Sequence, residues 1–417
     1  MEKKFLTLHF LVSHNPSCLN RDDMNMQKTA IFGGARRIRV SSQCMKRAVR
    51  RSAGYQKSFG ETSLRTSHTA LLLEHLKEAP VMAGVPEEIL AFVLSIGMND
   101  GTLTAWSIEE ARFIADIVSQ VLKKAGESPV VLKQIAEHMK KEEASKGKGS
   151  ENTPNAKANE DTAQEEAPPA QKDNKSSSLP GNLAKLEQEL KKAYKNGENE
   201  FLKTAGSPLD VALSGRMCAS GLLENVEAAM SISHLITTHE ATTEIDWFTG
   251  MGDLKGEVDG KAQSGADHLN TQEFGSGVFY GFAQIDLELL SKNLGGKPEA
   301  EVLEMAAEYA RLLATVTPTG KQKPMASPNF ASFFMAVRTG MPLSMANAFE
   351  SPVRAENGFV APSIRAIEDF WGKARKWYGL TDDRAAVFSI MGTGEAKEEN
   401  IKYFDSLPEL VGWIRKG

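Results

Sequence analysis

The sequence predicts an α/β or α+β sandwich, with βαββαβ as one possible core. Two observations lead there. Short segments of apolar alternation are interleaved with amphipathic stretches of 3.6-residue period, and a long region before the middle of the chain carries the helical period alone. The 417 residues are 41% apolar, enough to bury a sizeable core, and their number suggests two or more structural regions.

Residues 5–13 form the first expected strand, with Leu6, Leu8, Phe10 and Val12 on one face of a half-buried ribbon. A polar loop is expected to about Arg36, after which Arg37-Ile38-Arg39-Val40 alternates again. Ser41 or Ser42 can then accept orphan helix N–H groups, which predicts a helix to about Ser52 with Met45, Ala48 and Val49 toward the core. Residues 66–139 read helical throughout, over 70–76, 87–94, 108–122 and 132–139, and so mark a helical insertion. Residues 140–178 hold no apolar side chain but alanine, cannot offset the entropy of ordering, and are expected to form a disordered tether.

A helix over 183–195 leads back to a second core strand, where Met230, Ile232, His234 and Ile236 share one face. Residues 240–276 are dense in Gly, Asp, Thr and Lys and predict a long projecting hairpin or loop. Beyond it Val278, Tyr280 and Phe282 alternate as a strand, 298–316 is an amphipathic helix, 330–337 a strand and 362–377 a helix.

Forty-nine basic residues face 54 acidic ones, a net charge of −5 that argues against a bulk polyanion binder. The distribution says otherwise. Residues 24–60 carry nine cations (Lys28, Arg36, Arg37, Arg39, Lys46, Arg47, Arg50, Arg51, Lys57) and no carboxylate, which leaves 40 basic against 54 acidic residues elsewhere. A local basic patch outranks the mean as an electrostatic footprint. The longest apolar run, 89–94, is far short of the roughly 20 residues of a membrane span, so no membrane partner is expected. Thr7 and His9 interrupt the N-terminal apolar stretch and no small-residue cleavage site follows, which reads as a strand and not a signal peptide. Cys18, Cys44 and Cys218 are odd in number and widely spaced, fitting a reducing, cytoplasmic compartment without a disulfide framework or zinc site.

Phosphate-loop, dinucleotide, serine-hydrolase and zinc-protease motifs do not occur, so no cofactor is expected. His234, His239 and Asp246 lack a recognised ligand spacing, and His234 on its apolar face reads as a core histidine with locally bonded ring nitrogens. The informative segment is 18–51. Its helix sets Gln43, Lys46, Arg47 and Arg50 at i, i+3, i+4 and i+7, one exposed cationic face. That face starts at a helix N-terminus bearing Ser41 and Ser42, where free N–H groups, the macrodipole and hydroxyl donors favour a phosphate. A solvated basic helix is the plainer alternative, but nine cations without a carboxylate forgo the ion pairing such faces show.

The strings LNRDDMNMQK, FGGARRIRVSSQ, ALSGRM, DWFT, TQEFGSGVFY and MPLSMANAFE resemble the CasC-family backbone subunit of the type I-E CRISPR Cascade complex. The resemblance spans most of the chain and is weakest over the helical insertion and 140–178. It implies an α+β fold with an RRM-like (ferredoxin-like) palm, a helical fingers insertion and a β-hairpin thumb. On that reading 1–60 is the first part of the palm with the basic block, and 61–200 the fingers with the tether at about 140–178. Residues 201–238 are the second part of the palm, 239–276 the thumb and 277–417 the rest of the palm. It further implies a non-catalytic subunit of an antiviral complex. Several copies would stack head-to-tail along the spacer of a CRISPR RNA guide, beside other Cascade subunits, and present the guide to a target DNA strand.

Position by position, Asn20, Arg21, Lys28, Ser41, Gln43, Lys46, Arg47 and Arg50 match positions that grip guide phosphates and sugars, with Ser42 joining them at the helix N-terminus. Met217 matches a residue packed against bases, and Trp247, Phe248 and Thr249 match the thumb that folds across the guide. A subunit that must hold any spacer should read backbone shape and leave base edges to pair with the target, which phosphate contacts and a stacking wedge allow. By residue type alone Met217 is more often core, and Trp247 and Phe248 fit a local mini-core equally well. No RNP1 string occurs, so the sheet is not expected to stack bases. The alternative from another class is a metal-dependent ribonuclease using Asp22 and Asp23, because related type III backbone subunits cut target RNA with a loop aspartate. Their other role would be to pair with Arg21 or a neighbouring subunit.

Overall fold

A computed structural model describes residues 4–97, 103–147, 179–204, 206–217, 225–250, 257–258, 261–262, 268–380, 382–391 and 401–417. The chain divides into two compact units, one of Met1–Thr62, Gly206–Gly215 and Val226–Gly417, the other of Ser63–Ala205 and Arg216–Asn225. The first unit opens with β1 (Phe5–Ser17), β2 (Thr29–Phe32), β3 (Ala35–Val40), α1 (Ser42–Arg50) and α2 (Ala53–Phe59). The second holds β4 (Leu64–Thr66), α3 (Thr69–Glu78), α4 (Glu87–Gly97), β5 (Thr104–Trp106), α5 (Ile108–Ala125), α6 (Val131–Gly147) and α7 (Gly181–Thr204). The first resumes with α8 (Leu209–Ser214), β6 (Met230–Ile232), β7 (Leu235–Thr237), β8 (Glu244–Gly250), β9 (Glu257–Val258), β10 (Lys261–Ala262) and β11 (His268–Asp286). It ends with α9 (Leu287–Asn293), α10 (Glu299–Thr315), α11 (Gln322–Met325), β12 (Ala331–Thr339), α12 (Val360–Tyr378), β13 (Arg384–Ser389), β14 (Ile401–Phe404) and α13 (Leu407–Arg415).

The fold is mixed α+β. Its main sheet runs β14-β13-β12-β1-β11-β7-β3-β2, with β6 and β8 also paired to β11. Strand β1 lies antiparallel between β11 and β12, and among the described residues only the β13–β14 pair of this sheet is parallel. Central placement changes the expectation for β1, which is buried on both faces and not on one. Leu6, Leu8 and Phe10 pack with Ala306, Tyr309 and Leu313 of α10 and with Ile414 of α13, while Leu11 joins Phe333, Ile364, Ile367 and Trp371 on the opposite side. Polar side chains on the second face are satisfied internally. Tyr280 accepts the Met345 N–H at 2.9 Å and so donates to His9 Nδ1 at 3.0 Å, which leaves the His9 Nε2–H for Thr7 Oγ1 at 3.3 Å. Burial pushes His9 down to about 3 and raises the Tyr280 phenol.

Three local expectations are corrected. The loop expected up to Arg36 contains a hairpin, because Gly33 and Gly34, at φ +59° and +73°, supply the two-residue turn that joins β2 to β3. A Cβ on Gly33 would stand 1.6 Å from the Glu350 carbonyl oxygen, so glycine is required there. The single strand expected over 229–236 is split into β6 and β7 by a bulge. Ile232 pairs with Ala283 and Ile236 with Tyr280, four steps against three, so the alternation changes phase and His234 faces outward while Leu235 is buried. The insertion read as wholly helical also contains the β4–β5 ladder.

The second unit has its own core, with Trp106, Ile114, Val118, Leu132, Leu186 and Tyr194 from α5, α6, α7 and the end of β5. Inside it Arg216 Nη1 donates to both carboxylate oxygens of Glu110, at 2.7 and 2.8 Å. Residues 140–147, expected to begin the tether, continue α6 because Lys, Glu and Ala are good helix formers; 148–178 lie outside the described residues.

Candidate nucleic-acid interface

The basic block folds into a loop, a hairpin and a helix; Glu273 pins the loop, Arg37 the hairpin, and Asn20 with His234 the start of the helix. Residues 20–28 double back through the Arg21–Gln27 bridge and the Lys28 N–H bond to the Asn20 carbonyl, 3.0 Å. At the tip Asp22 Oδ1 accepts the N–H groups of Met24 and Met26, each at 2.9 Å, and Arg21 donates to Asn25 Oδ1 at 2.9 Å. Asn25 sits at φ +65°, which asparagine tolerates better than most residues. The buried Glu273 of β11 holds the loop to the sheet: one carboxylate oxygen accepts the Gln27 N–H at 2.8 Å, the other the Thr243 hydroxyl. Asn20 Oδ1 accepts the Ser41 N–H at 2.8 Å, so loop and helix start are fixed to one another.

Ser41 is the N-cap of α1, its hydroxyl oxygen accepting the Cys44 N–H at 3.2 Å. The Ser42 N–H donates to His234 Nδ1 at 3.0 Å. The expectation of free N–H groups is therefore corrected for Ser41 and Ser42, whose donors are used within the chain. His234 itself is exposed, not a core residue, and is held neutral: partial burial and the nearby Arg39 and Lys28 charges lower its pKa. Along α1, Met45 and Val49 are buried, Gln43 and Arg47 are exposed, and Lys46 and Arg50 are half-buried at the sides of the stripe. Arg51, just past the helix, is exposed as well.

Arg37 leaves the cationic count. It is fully buried and donates to the carbonyls of Thr237 and Phe349, both at 2.9 Å, and of Phe32 at 3.3 Å. It ties β3 to the chain past β12 and presents no charge to a ligand.

Arg47 and Arg51 form one wall of a pocket of ≈ 790 Å³. Asn20, Arg21 and Asn25 form the second wall; Thr317, Thr319 and Lys321 form a third, far along the sequence from both and unmarked by any motif.

The remaining expected residues lie elsewhere. Met217 is 83% exposed, next to the buried Arg216 in the second unit, so it is not core. Trp247 is 67% exposed on β8, opposite Thr271 of β11, which corrects the mini-core alternative for it. Phe248 and Thr249 continue β8 opposite Asn270 and Leu269; their side chains lie outside the described residues. His239 is committed internally, with Nδ1–H donating to the Glu240 carbonyl at 2.8 Å and Nε2 accepting the Val278 N–H at 3.2 Å. Among the described residues no three His, Cys, Asp or Glu side chains form a group able to hold a metal, and no helix is long and apolar enough to cross a membrane.

A family model described as CT1975-like protein matches residues 6–413. The chain belongs to that family. The resemblance to a CasC-type Cascade backbone protein is thereby borne out at the level of the family. This CT1975-like chain is similar in fold to a chain of a "CRISPR RNA-guided surveillance complex, pre-nicking", at TM-score 0.64 and 22% identity over 99% of both chains. It is also similar to a chain of a "CRISPR RNA-guided surveillance complex", at TM-score 0.54 and 19% identity over 99% of this chain and 98% of the other. Comparison with curated protein sequences finds no match.

Proposed function

We propose that this chain is a guide-binding backbone subunit of a CRISPR surveillance complex, gripping the sugar–phosphate backbone of a CRISPR RNA. The observation that carries the reading is the convergence of Arg21, Arg47 and Arg51 with Asn20 on one pocket, in a chain whose family match and fold likeness run almost end to end. A cationic, hydroxyl- and amide-lined wall suits phosphodiesters of any sequence. Asn20, Arg21, Lys28, Ser41, Ser42, Gln43, Lys46, Arg47 and Arg50 are its proposed contacts. Exposed Met217 and Trp247 are the proposed surfaces against bases, with Phe248 and Thr249 beside Trp247.

The finer reading is of type I-E: an RRM-like palm with fingers and thumb at the boundaries expected from sequence, cytoplasmic, with copies polymerising along the spacer and a target DNA strand pairing to the guide. The second face of the main sheet supports a backbone-gripping role, because α12 covers it and bases cannot stack there as on an open sheet. A non-catalytic role is supported at Asp22, whose carboxylate caps its own turn.

The test is co-expression with a CRISPR RNA, followed by electron microscopy and by RNA binding as a function of salt. Helical assemblies whose length follows the spacer are expected. Replacing Lys46 and Arg50 together should lower the slope of log K against log[salt] by about 1.4, at roughly 0.7 per phosphate contact on a single strand, for unrelated spacers alike. A loss confined to particular spacers refutes backbone gripping. Site-specific cutting of complementary RNA in magnesium, abolished by Asp22→Ala and Asp23→Ala, would replace the reading with a ribonuclease.

A further inference from the structure

Residues 316–321 carry no motif, yet they close the third side of the pocket whose other walls bear Arg21, Arg47 and Arg51. This strap is built, not merely adjacent. A Cβ on Gly320 would stand 2.4 Å from the Leu19 carbonyl oxygen, so the strap presses directly on the chain entering the 20–28 loop. The Thr317 hydroxyl donates to the Asn329 carbonyl at 2.8 Å, and the Asn329 amide donates to Asn15 Oδ1 at 2.8 Å at the end of β1. Lys321 holds a left-handed conformation, φ +51°, that L side chains rarely adopt, and such positions gather at functional sites. It lines the same pocket as Arg21.

Four cations therefore come from three separate segments around one opening. Asp22 is the acid on its lining, and one of its oxygens is already taken by two backbone N–H groups. An uncompensated charge of this sign, with threonine hydroxyls and asparagine amides interspersed, selects a ligand carrying more than one anionic oxygen. A volume of ≈ 790 Å³ exceeds what a single phosphate fills and admits a nucleotide-sized stretch of strand.

We propose that the strap forms a second phosphate subsite, in which Lys321, Arg51 and Thr319 hold a phosphodiester of the same RNA strand that runs along α1; the inference rests on the guide-binding reading. Gly320 allows the close approach that brings the strap to the loop, and Lys321 supplies the charge. The subsite is independent of base identity, since its donors are cations and hydroxyls.

The test uses the full chain and a fluorescein-labelled single-stranded RNA of mixed sequence, with affinity measured over a salt series. Arg51→Ala and Lys321→Gly are each expected to lower the salt slope by about 0.7, one lost contact on a single strand. Lys321→Gly separates binding from structure, because glycine relaxes the left-handed backbone while deleting the charge. Its thermal midpoint should be unchanged or higher even as RNA affinity falls, and Lys321→Arg should restore the slope. Unchanged slopes for Arg51→Ala and Lys321→Gly, alongside a reduced slope for the Lys46 and Arg50 double variant, would overturn the subsite and leave the guide-binding reading standing. Absence of salt-dependent RNA binding by the parent chain would overturn both.

Discussion

The Glu110–Arg216 pair yields the sharpest test of how the second unit is held together. Its side chains are 1% and 2% exposed, so the attraction acts at low dielectric, and Arg216 is the bidentate counter-charge of the Glu110 carboxylate. Arg216→Met removes the guanidinium and strands a buried carboxylate, a change that costs about 3–5 kcal/mol where one partner of a buried pair is lost. At about 1.4 kcal/mol per factor of ten, opening of the unit becomes on the order of 10²–10³ times more frequent. Hydrogen exchange read by mass spectrometry locates the effect: amides of α5 should lose that much protection, and those of β1, in the other unit, should lose far less. The double variant Glu110→Leu with Arg216→Met replaces the pair with apolar side chains of similar volume and should recover most of the protection. The reasoning fails if Arg216→Met leaves α5 protection within about threefold of the parent, a difference under 1 kcal/mol. It fails equally if the double variant is as unprotected as the single one. Because Met217 follows Arg216 directly, the same variant should also blur any ordered contact that Met217 makes with bases.

Acidification should destabilise the first unit. Burial lowers His9 to about 3 and His14 to about 4, so below the unfolded value of 6.5 the unfolded chain binds protons that the folded one refuses. Stability is then full above pH 6.5 and falls by about 1.4 kcal/mol per pH unit for each histidine; thermal midpoints between pH 6.5 and 5 should drop, and a His14→Asn variant should drop less steeply. Glu273→Gln keeps the shape but loses the charge that holds the Gln27 N–H, and should weaken RNA binding several-fold, about 1 kcal/mol, without deleting any proposed contact. An unchanged affinity in the same salt titration would show that the 20–28 loop needs no such anchor. Trp247→Ala should leave the thermal midpoint within the shift expected of about 0.5 kcal/mol, because the ring is exposed, while lowering affinity for single-stranded RNA by about 1–3 kcal/mol if a base stacks on it.

Legibility of the fold followed the range of the interactions that decide it. Alternation and 3.6-residue periods located β1, α1, α5, α10 and α12, because local burial patterns set them. The bulge after Ile232 was not visible in sequence, since it exists only in the pairing of β6 and β7 with β11. The residue-by-residue reading of His234 as core followed from continuing the period through that break. Charge counting found the loop and α1 but overcounted Arg37, two of whose carbonyl partners lie 200 and 312 positions on in the chain. Thr317, Thr319 and Lys321 gave no signal, for their approach to Leu19 and Arg51 is tertiary. Glu273 stood inside one of the motif strings, where an acid among glycines and aromatics was the available sign of an anchor.

The pairing of β1 also bears on how the chain is made. Phe5 aligns with Asp286 on one side and with Thr339 on the other, so the central strand must wait for most of the polypeptide before either neighbour exists. At about 5–20 residues per second, that delay is on the order of tens of seconds on the ribosome. During it Leu6, Leu8 and Phe10 have no sheet to enter, whereas nearly all of the second unit is contiguous in sequence and is synthesised within the interval. Nascent chains should therefore acquire the second unit first and depend on chaperones that shield the N-terminal strand until β11 and β12 emerge.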